Sequence, residues 1–253
     1  MTKNISLSRP FPTAAIPEQL SRIAKDHMKL VWINELGGTT AYFNGIKGLA
    51  EGNYYAKWNP KSSGLSLETE VEKSYWLAST GHPTSHIVDF QKYHDGELLI
   101  TQDEGATSAV FPQWVQQPQK ALTAIAQGLR LLHSLPAENC PYTWSLEERL
   151  KEVKDDSKRT QLKNTAPEID KMVVCHGDAC APNTLLNKDG KFAATIDVEQ
   201  LGVADRWADL AVATMSLTWN YSEYDETIFW ESYGLEPDND RIEYYRALWN
   251  ASD

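Results

Sequence analysis

Val174-Cys175-His176-Gly177-Asp178-Ala179-Cys180-Ala181-Pro182-Asn183, followed after one further apolar run by Ile196-Asp197-Val198-Glu199, is the stretch on which the reading of this chain turns. It sets three groups in order: a carboxylate at Asp178, an amide at Asn183 and a second carboxylate at Asp197. Moving a phosphoryl group from a nucleoside triphosphate to a hydroxyl calls for such a set. One carboxylate orients the hydroxyl and accepts its proton, while an amide oxygen and another carboxylate hold the magnesium ions that bridge the phosphates. Magnesium takes a few hard oxygens and keeps several waters, so two protein ligands beside the phosphates suffice. Each residue alone reads as a turn or strand-end residue; the three at these separations read as a site.

The neighbours of the motif support this placement. Val173-Val174 is a short buried strand entering it. Leu185-Leu186 and Phe192 to Ile196 flank a turn at Asn187-Lys188-Asp189-Gly190, so Asn183 and Asp197 stand at the two open ends of one hairpin. His176 reads as a hydrogen-bonded scaffold for the loop. Cys175, His176 and Cys180 match no zinc spacing. With Cys140 they make three cysteines, which is no disulfide framework and fits free thiols in a reducing cytosol.

Upstream, the first hundred residues read as β-rich. Met28 to Asn34, Ala41 to Ile46, Asn53 to Trp58, His86 to Phe90 and Leu98 to Thr101 are strand candidates. A helix is predicted over about residues 65–79, where Leu67, Val71 and Ala78 recur near helical spacing. Lys57 lies on the third strand, where protein kinases carry the lysine that holds the α- and β-phosphates. Glu70 on the helix, thirteen residues on, is the candidate to pair with it, with Glu68 competing and Glu72 facing elsewhere. No G-x-G-x-x-G is present; Gly37, Gly38 and Thr39 offer either a phosphate loop or a plain hairpin turn. Gln102 begins the segment to Gly105 that reads as a hinge, and is a nucleotide-contact candidate.

After Gln102 the pattern turns helical. Leu122, Ile125, Ala126, Leu129, Leu132 and His133 trace one face of a helix, a second covers Leu146 to Val153, and three more fall near 205–219, 223–233 and 238–250. The charged stretch Lys151 to Lys163 reads as a solvated helix face or loop. The resulting expectation is an α+β bilobal protein-kinase-like fold. Residues 1–103 form a nucleotide-binding lobe with a five-stranded antiparallel sheet and one helix. Residues 104–253 form a mainly helical lobe for catalysis and substrate binding.

The chain's 253 residues, 42% hydrophobic and 23% charged, are those of a folded globular protein. The formal net charge of −11 argues against nucleic acid, whose phosphates need a basic face, and suits a cationic small molecule as well as plain solubility. Met1 to Leu20 lacks the apolar run of a signal peptide and no stretch is long enough to cross a bilayer. A cytoplasmic protein without membrane or nucleic-acid partners, monomeric or weakly dimeric, is expected.

The block from Val174 to Asn183, then Ile196-Asp197, then Leu201-Gly202-Val203-Ala204-Asp205-Arg206-Trp207-Ala208-Asp209-Leu210-Ala211, resembles the aminoglycoside O-phosphotransferases, nearest their 3′- and 3″-branch. The resemblance runs from about Gly37 to the C-terminus. It implies ATP, magnesium and transfer of the γ-phosphoryl group to an aminoglycoside hydroxyl, the 3′-hydroxyl of the kanamycin type, giving antibiotic resistance. Carried onto this chain, it makes Asp178 the base, Asn183 and Asp197 the metal ligands and Lys57 the phosphate binder, with Asp205 and Asp209 bracing the metal loop. Members use acidic residues near the C-terminus to bind substrate amines; Glu223, Asp225, Glu226, Glu231 and Asp253 are the candidates. The chain departs from the family at Glu199-Gln200, where Gly-Arg is common. Three alternatives stay open: 3″-phosphorylation of streptomycin, a kinase for another hydroxylated compound (macrolide, peptide antibiotic or metabolite), and a degenerate kinase-like binding module.

Overall fold

The computed structural model describes residues 16–252, apart from Glu35 and Leu65. They group into two compact units. One holds the described residues up to Trp76 together with Ser85–Gly105; the other holds Leu77–Thr84 and the described residues from Ala106 onward.

The first unit is built on an antiparallel sheet of β1 (Met28–Ile33), β2 (Thr39–Phe43), β3 (Tyr54–Pro60), β4 (Ile87–Lys92) and β5 (Gly96–Gln102), in the order β1-β2-β3-β5-β4. Side chains alternate across a strand, so one face of β2 and β3 carries Ala41, Phe43, Tyr54, Ala56 and Trp58 into a core with Leu20, Leu98 and Ile100. Leu20 comes from α1 (Glu18–Ile23), which the sequence reading did not foresee. Lys57 points to the opposite face, paired with Thr40 on β2 and Leu99 on β5. On that face Leu99 packs with Leu67 and Val71 of α2 (Leu67–Ser79). Lys57 therefore stands on an interior strand, not at an edge. The strand expected over Ala41 to Ile46 ends at Phe43, because Gly45 turns the chain at φ 135°.

The second unit is mainly helical: α3 (Pro112–Val115), α4 (Pro118–Leu132), α5 (Leu146–Glu152), α6 (Asp156–Asn164), α7 (Trp207–Asn220), α8 (Thr227–Tyr233) and α9 (Asn239–Ser252). Residues Trp207 to Leu217 of α7 are all buried, as expected of a helix apolar on nearly every side. Most of the charged stretch forms α6, capped by the Asp155 carboxylate, a helix whose buried residue is Leu162. Two small sheets carry the motif residues. One pairs β7 (Met172–Cys175) with β10 (Gly202–Asp205); the other orders β6 (Thr107–Ser108), β8 (Thr184–Leu186) and β9 (Phe192–Thr195) as β6-β8-β9.

The sequence pattern places the boundary between the two lobes after residue 103. The packing instead keeps residues through Gly105 with the five-stranded sheet and joins Leu77–Thr84 to the helical unit. Residues 82–84 belong there because they hydrogen-bond β9, as described below. Among the described residues no helix is long and apolar enough to cross a membrane.

Candidate active site

Strand β7 delivers His176, Gly177 and Asp178 into a loop that is held from below by Asp209, in the first turn of α7. Asp209 is fully buried. Its Oδ2 accepts the His176 amide (2.6 Å) and a bond with His133 Nε2 (3.0 Å), and its Oδ1 accepts the Gly177 amide (3.0 Å). Gly177 is required at its position: φ is +88°, and a Cβ there would lie 2.3 Å from the Gln200 carbonyl oxygen. The His176 ring is fixed in one tautomer. Its Nδ1 accepts the Asp178 amide (3.2 Å), so Nε2 carries the proton and donates to the Ile196 carbonyl (2.9 Å). His176 is thus a scaffold residue tying the Asp178 loop to the hairpin that leads to Asp197.

Asp178 is half-buried. Asn183 Nδ2 donates both to its Oδ2 (3.1 Å) and to its backbone carbonyl (2.9 Å). Asp178 Oδ1 is buried and, among the described residues, accepts no hydrogen bond. A buried carboxylate oxygen without a donor is costly, and such an orphan is a functional-site signal.

Asn183 closes a short turn, Ala181–Asn183, whose backbone is gripped by two serines. Ser216 Oγ accepts the Ala181 amide (2.9 Å) and Ser108 Oγ donates to the Pro182 carbonyl (2.8 Å). The Ile196 amide donates to the Asn183 carbonyl (3.0 Å), which brings the Asp197 end of the hairpin beside Asn183. Asp197 has φ +60°, alone among the described non-glycine residues in the left-handed region. Such a conformation persists only where the surroundings hold it, and it marks functional positions.

These residues fit magnesium. The nitrogen of Asn183 is bonded to Asp178, which leaves its oxygen as the ligand atom, and the Asp197 carboxylate adds a hard oxygen. By contrast His133, Cys175 and Asp209, whose ligand atoms come within 4.8 Å of one another, are already engaged: His133 bonds Asp209, and the Cys175 thiol donates to the Asp205 carbonyl. Asp209 already accepts three bonds there, and burial pushes the Cys175 thiol well up, away from the thiolate a metal needs.

In the sheet unit Lys57 Nζ pairs with Glu70 Oε1 at 2.7 Å, both largely buried. The Gly37–Thr39 turn is knit by Asn34, whose Oδ1 accepts the Leu36 (3.0 Å) and Gly38 (2.7 Å) amides, while the Gly37 amide donates to the Asn34 carbonyl (3.1 Å). The Thr39 hydroxyl donates to the Gly37 carbonyl (3.2 Å). In this conformation it is a closed hairpin turn whose amides are engaged internally. Gln102 ends β5 opposite Tyr54, its amide donating to the His86 carbonyl (2.9 Å).

Residues 40–245 match the family model described as the phosphotransferase enzyme family. The chain belongs to that family. An aminoglycoside 3′-phosphotransferase of Streptomyces fradiae is 30% identical over 218 residues, covering 75% of this chain and 81% of the relative. A streptomycin 3″-kinase of Streptomyces griseus is 28% identical over 233 residues, covering 79% and 85%. Among solved structures, the aminoglycoside phosphotransferase APH(3″)-Id of Streptomyces rimosus in complex with ADP and streptomycin superposes with a TM-score of 0.67 at 27% identity, covering 87% of this chain and 94% of that one.

The acidic residues expected near the C-terminal end of this phosphotransferase have mixed fates. Asp225 Oδ1 accepts the Thr227 amide (3.0 Å) and hydroxyl (2.6 Å) ahead of α8, and Glu226 Oε1 accepts the Trp230 indole N–H (2.9 Å). Both hold structure in place. Glu223 and Glu231 are exposed, and Asp253 lies outside the described residues. The sequence reading missed Ser108, Ser216 and His82, none of which sits near the motif in the chain.

His82 is buried and its Nε2 lies 2.9 Å from Thr195 Oγ1. Burial, and then the fields of His176 and His133, push it down to about 4. The folded protein therefore keeps His82 neutral where the unfolded chain takes up a proton near pH ~6.5. Stability falls as pH drops from there to about 4, with a slope approaching about 1.4 kcal/mol per pH unit from this one group. Urea unfolding across that window checks it: His82→Gln, which cannot titrate, is expected to flatten the slope.

Proposed function

We propose that this phosphotransferase moves the γ-phosphoryl group of ATP to a hydroxyl of an aminoglycoside, the 3′-hydroxyl of the kanamycin type, and so confers resistance. The observation that carries the reading is the orphaned Asp178 Oδ1 beside Asn183 and the hairpin end at Asp197. Asp178 Oδ1 orients the attacking hydroxyl and accepts its proton as the phosphoryl group moves. Asn183 Oδ1 and the Asp197 carboxylate hold magnesium, which when bound neutralises charge on the phosphates. Lys57, steadied by Glu70, binds the α- and β-phosphates. Of the acidic candidates, exposed Glu223 and Glu231 remain for substrate amines, and the net charge of −11 favours approach of a polycation. ATP as donor implies the cytoplasm.

A second reading, 3″-phosphorylation of streptomycin, is favoured by the likeness to the Streptomyces griseus 3″-kinase, which matches almost as well as the 3′-phosphotransferases. ADP release with Mg-ATP, followed against kanamycin, neomycin and streptomycin with NMR of each product, separates the two. A 3′-phosphate on kanamycin supports the first, turnover of streptomycin alone the second. No turnover of any aminoglycoside, with ATP still bound, defeats both.

A further inference from the structure

Residues 82–84 hold all three polar groups of one residue on β9. Pro83 accepts the Thr195 amide (3.0 Å), the Thr84 hydroxyl donates to the Thr195 carbonyl (2.9 Å), and His82 Nε2 meets the Thr195 hydroxyl (2.9 Å). Thr195 is 5% exposed and His82 4% exposed, so the bond between their side chains is shielded from bulk water. Thr195 is two residues ahead of Asp197, the residue held at φ +60°. On the opposite side, β9 is seated on α4. The Phe192 ring leaves so little room that a Cβ on Gly128 would lie 2.6 Å from it, and the His82 ring lies 5.7 Å from the Phe192 ring. The strand leading to Asp197 is therefore fixed by its neighbours on two sides, and its last residue is gripped at every polar atom.

Thr195 stands opposite Thr184 in the β8–β9 ladder and is bridged by Thr84 on its other edge, so its amide and carbonyl are both engaged by residues 83–84. What the clamp adds is control of the backbone just before a residue in an unfavourable conformation. A left-handed aspartate is strained and needs surroundings that over-determine it.

We propose that His82, Pro83 and Thr84 form a clamp on Thr195 that positions the Asp197 carboxylate for metal binding, with His82 and Thr195 as positioning residues. The inference rests on the reading of Asp197 as a metal ligand. Groups that orient ligands in this way typically govern metal affinity by ~10–100-fold.

The test uses the whole chain with ADP and Mn²⁺ as probe, following free Mn²⁺ by electron paramagnetic resonance. Alongside it, turnover gives the Mg²⁺ concentration for half-maximal rate and the aminoglycoside KM. Thr195→Val keeps shape and removes the hydroxyl; His82→Leu removes the ring's polar edge; His82→Gln keeps an N–H where Nε2 stands. Thr195→Val and His82→Leu are expected to weaken Mn²⁺ binding ~10-fold and raise the Mg²⁺ requirement equally, with aminoglycoside KM unchanged and with His82→Gln restoring most of the loss. Unchanged Mn²⁺ affinity in folded Thr195→Val overturns the proposal. So does a loss in which Tm, aminoglycoside KM and Mn²⁺ affinity all worsen together and His82→Gln does not rescue, which would mark the clamp as structural only. Asp197→Asn serves as the reference: if it leaves Mn²⁺ affinity unchanged, the ligand reading of Asp197 itself fails, independently of the clamp.

Discussion

Asp178→Asn lowers kcat by at least roughly 10²–10⁴-fold, while ATP affinity and thermal stability stay close to those of the parent chain. The introduced asparagine can still accept the Asn183 Nδ2 hydrogen bond through its oxygen, so the loop keeps its shape. Its amide nitrogen then stands where Asp178 Oδ1 stood, and a donor replaces the orphaned acceptor. A substrate hydroxyl meets an N–H instead of a base. The loss corresponds to about 3–5 kcal/mol of transition-state stabilisation. Stability does not suffer, because the replaced oxygen is a buried carboxylate atom with no donor of its own and contributes nothing favourable to the fold. ADP-release kinetics with and without aminoglycoside, together with a nucleotide thermal-shift titration, check both halves. Turnover within tenfold of the parent removes Asp178 from the role of base.

What could be read from the sequence divides along a physical line. Elements with strong local signals came through. Lys57, on a strand that alternates buried and half-buried residues, has Glu70 as its partner, as the spacing from strand to helix suggested. Asn183 and Asp197 stand at the two ends of a hairpin, as the turn at Asn187 to Gly190 required. Strand β10 was hidden, because Gly202-Val203-Ala204-Asp205 is too short to show a period and runs into an apolar helix. Its pairing with β7 is a tertiary decision: a Cβ on Gly202 would lie 2.6 Å from the Thr143 carbonyl carbon, a proximity no local pattern announces. The same holds for the supports of the site. Ser216 is one small residue on a buried helix, and only the fold brings its hydroxyl to the Ala181 amide. The family resemblance put Asp225 and Glu226 among the candidates for substrate amines; it held no sign that Asp225 accepts the Thr227 amide ahead of α8 or that Glu226 anchors the Trp230 indole, contacts that only the folded helix creates. Glycines after a strand, as at Gly37-Gly38, signalled a turn correctly but carried no information on whether its amides would be free; Asn34 decides that.

Asp209→Asn is expected to damage the scaffold as severely as Asp178→Asn damages the chemistry, and the two variants separate the roles. Burial alone would raise the Asp209 pKa; the hydrogen bond and field of His133, with those of His176, outweigh it and hold the carboxyl below its ordinary range. A depressed carboxylate contributes stability that is complete above the unfolded value near ~3.9 and is lost only as pH falls through the lower folded value, so at neutral pH the whole contribution is present. Three donors converge on its two oxygens: the His133 ring and the His176 and Gly177 amides. An asparagine offers one oxygen and one NH₂. Whichever way it is turned, the NH₂ faces an N–H, so at least one backbone amide loses its acceptor, and the charge that matched His133 is gone. Removing one member of such a buried set costs about 3–5 kcal/mol, which for a chain of this size lowers Tm by on the order of 6–20 °C. Because the broken bonds belong to His176 and Gly177, the displaced backbone is the one that carries Asp178, and turnover falls with stability. Calorimetry and urea unfolding of Asp209→Asn beside Asp178→Asn test this directly. A variant at Asp209 that keeps its Tm within about 2 °C of the parent would mean that the amides find other acceptors, and that the loop is held by the His176 ring and the two serines instead.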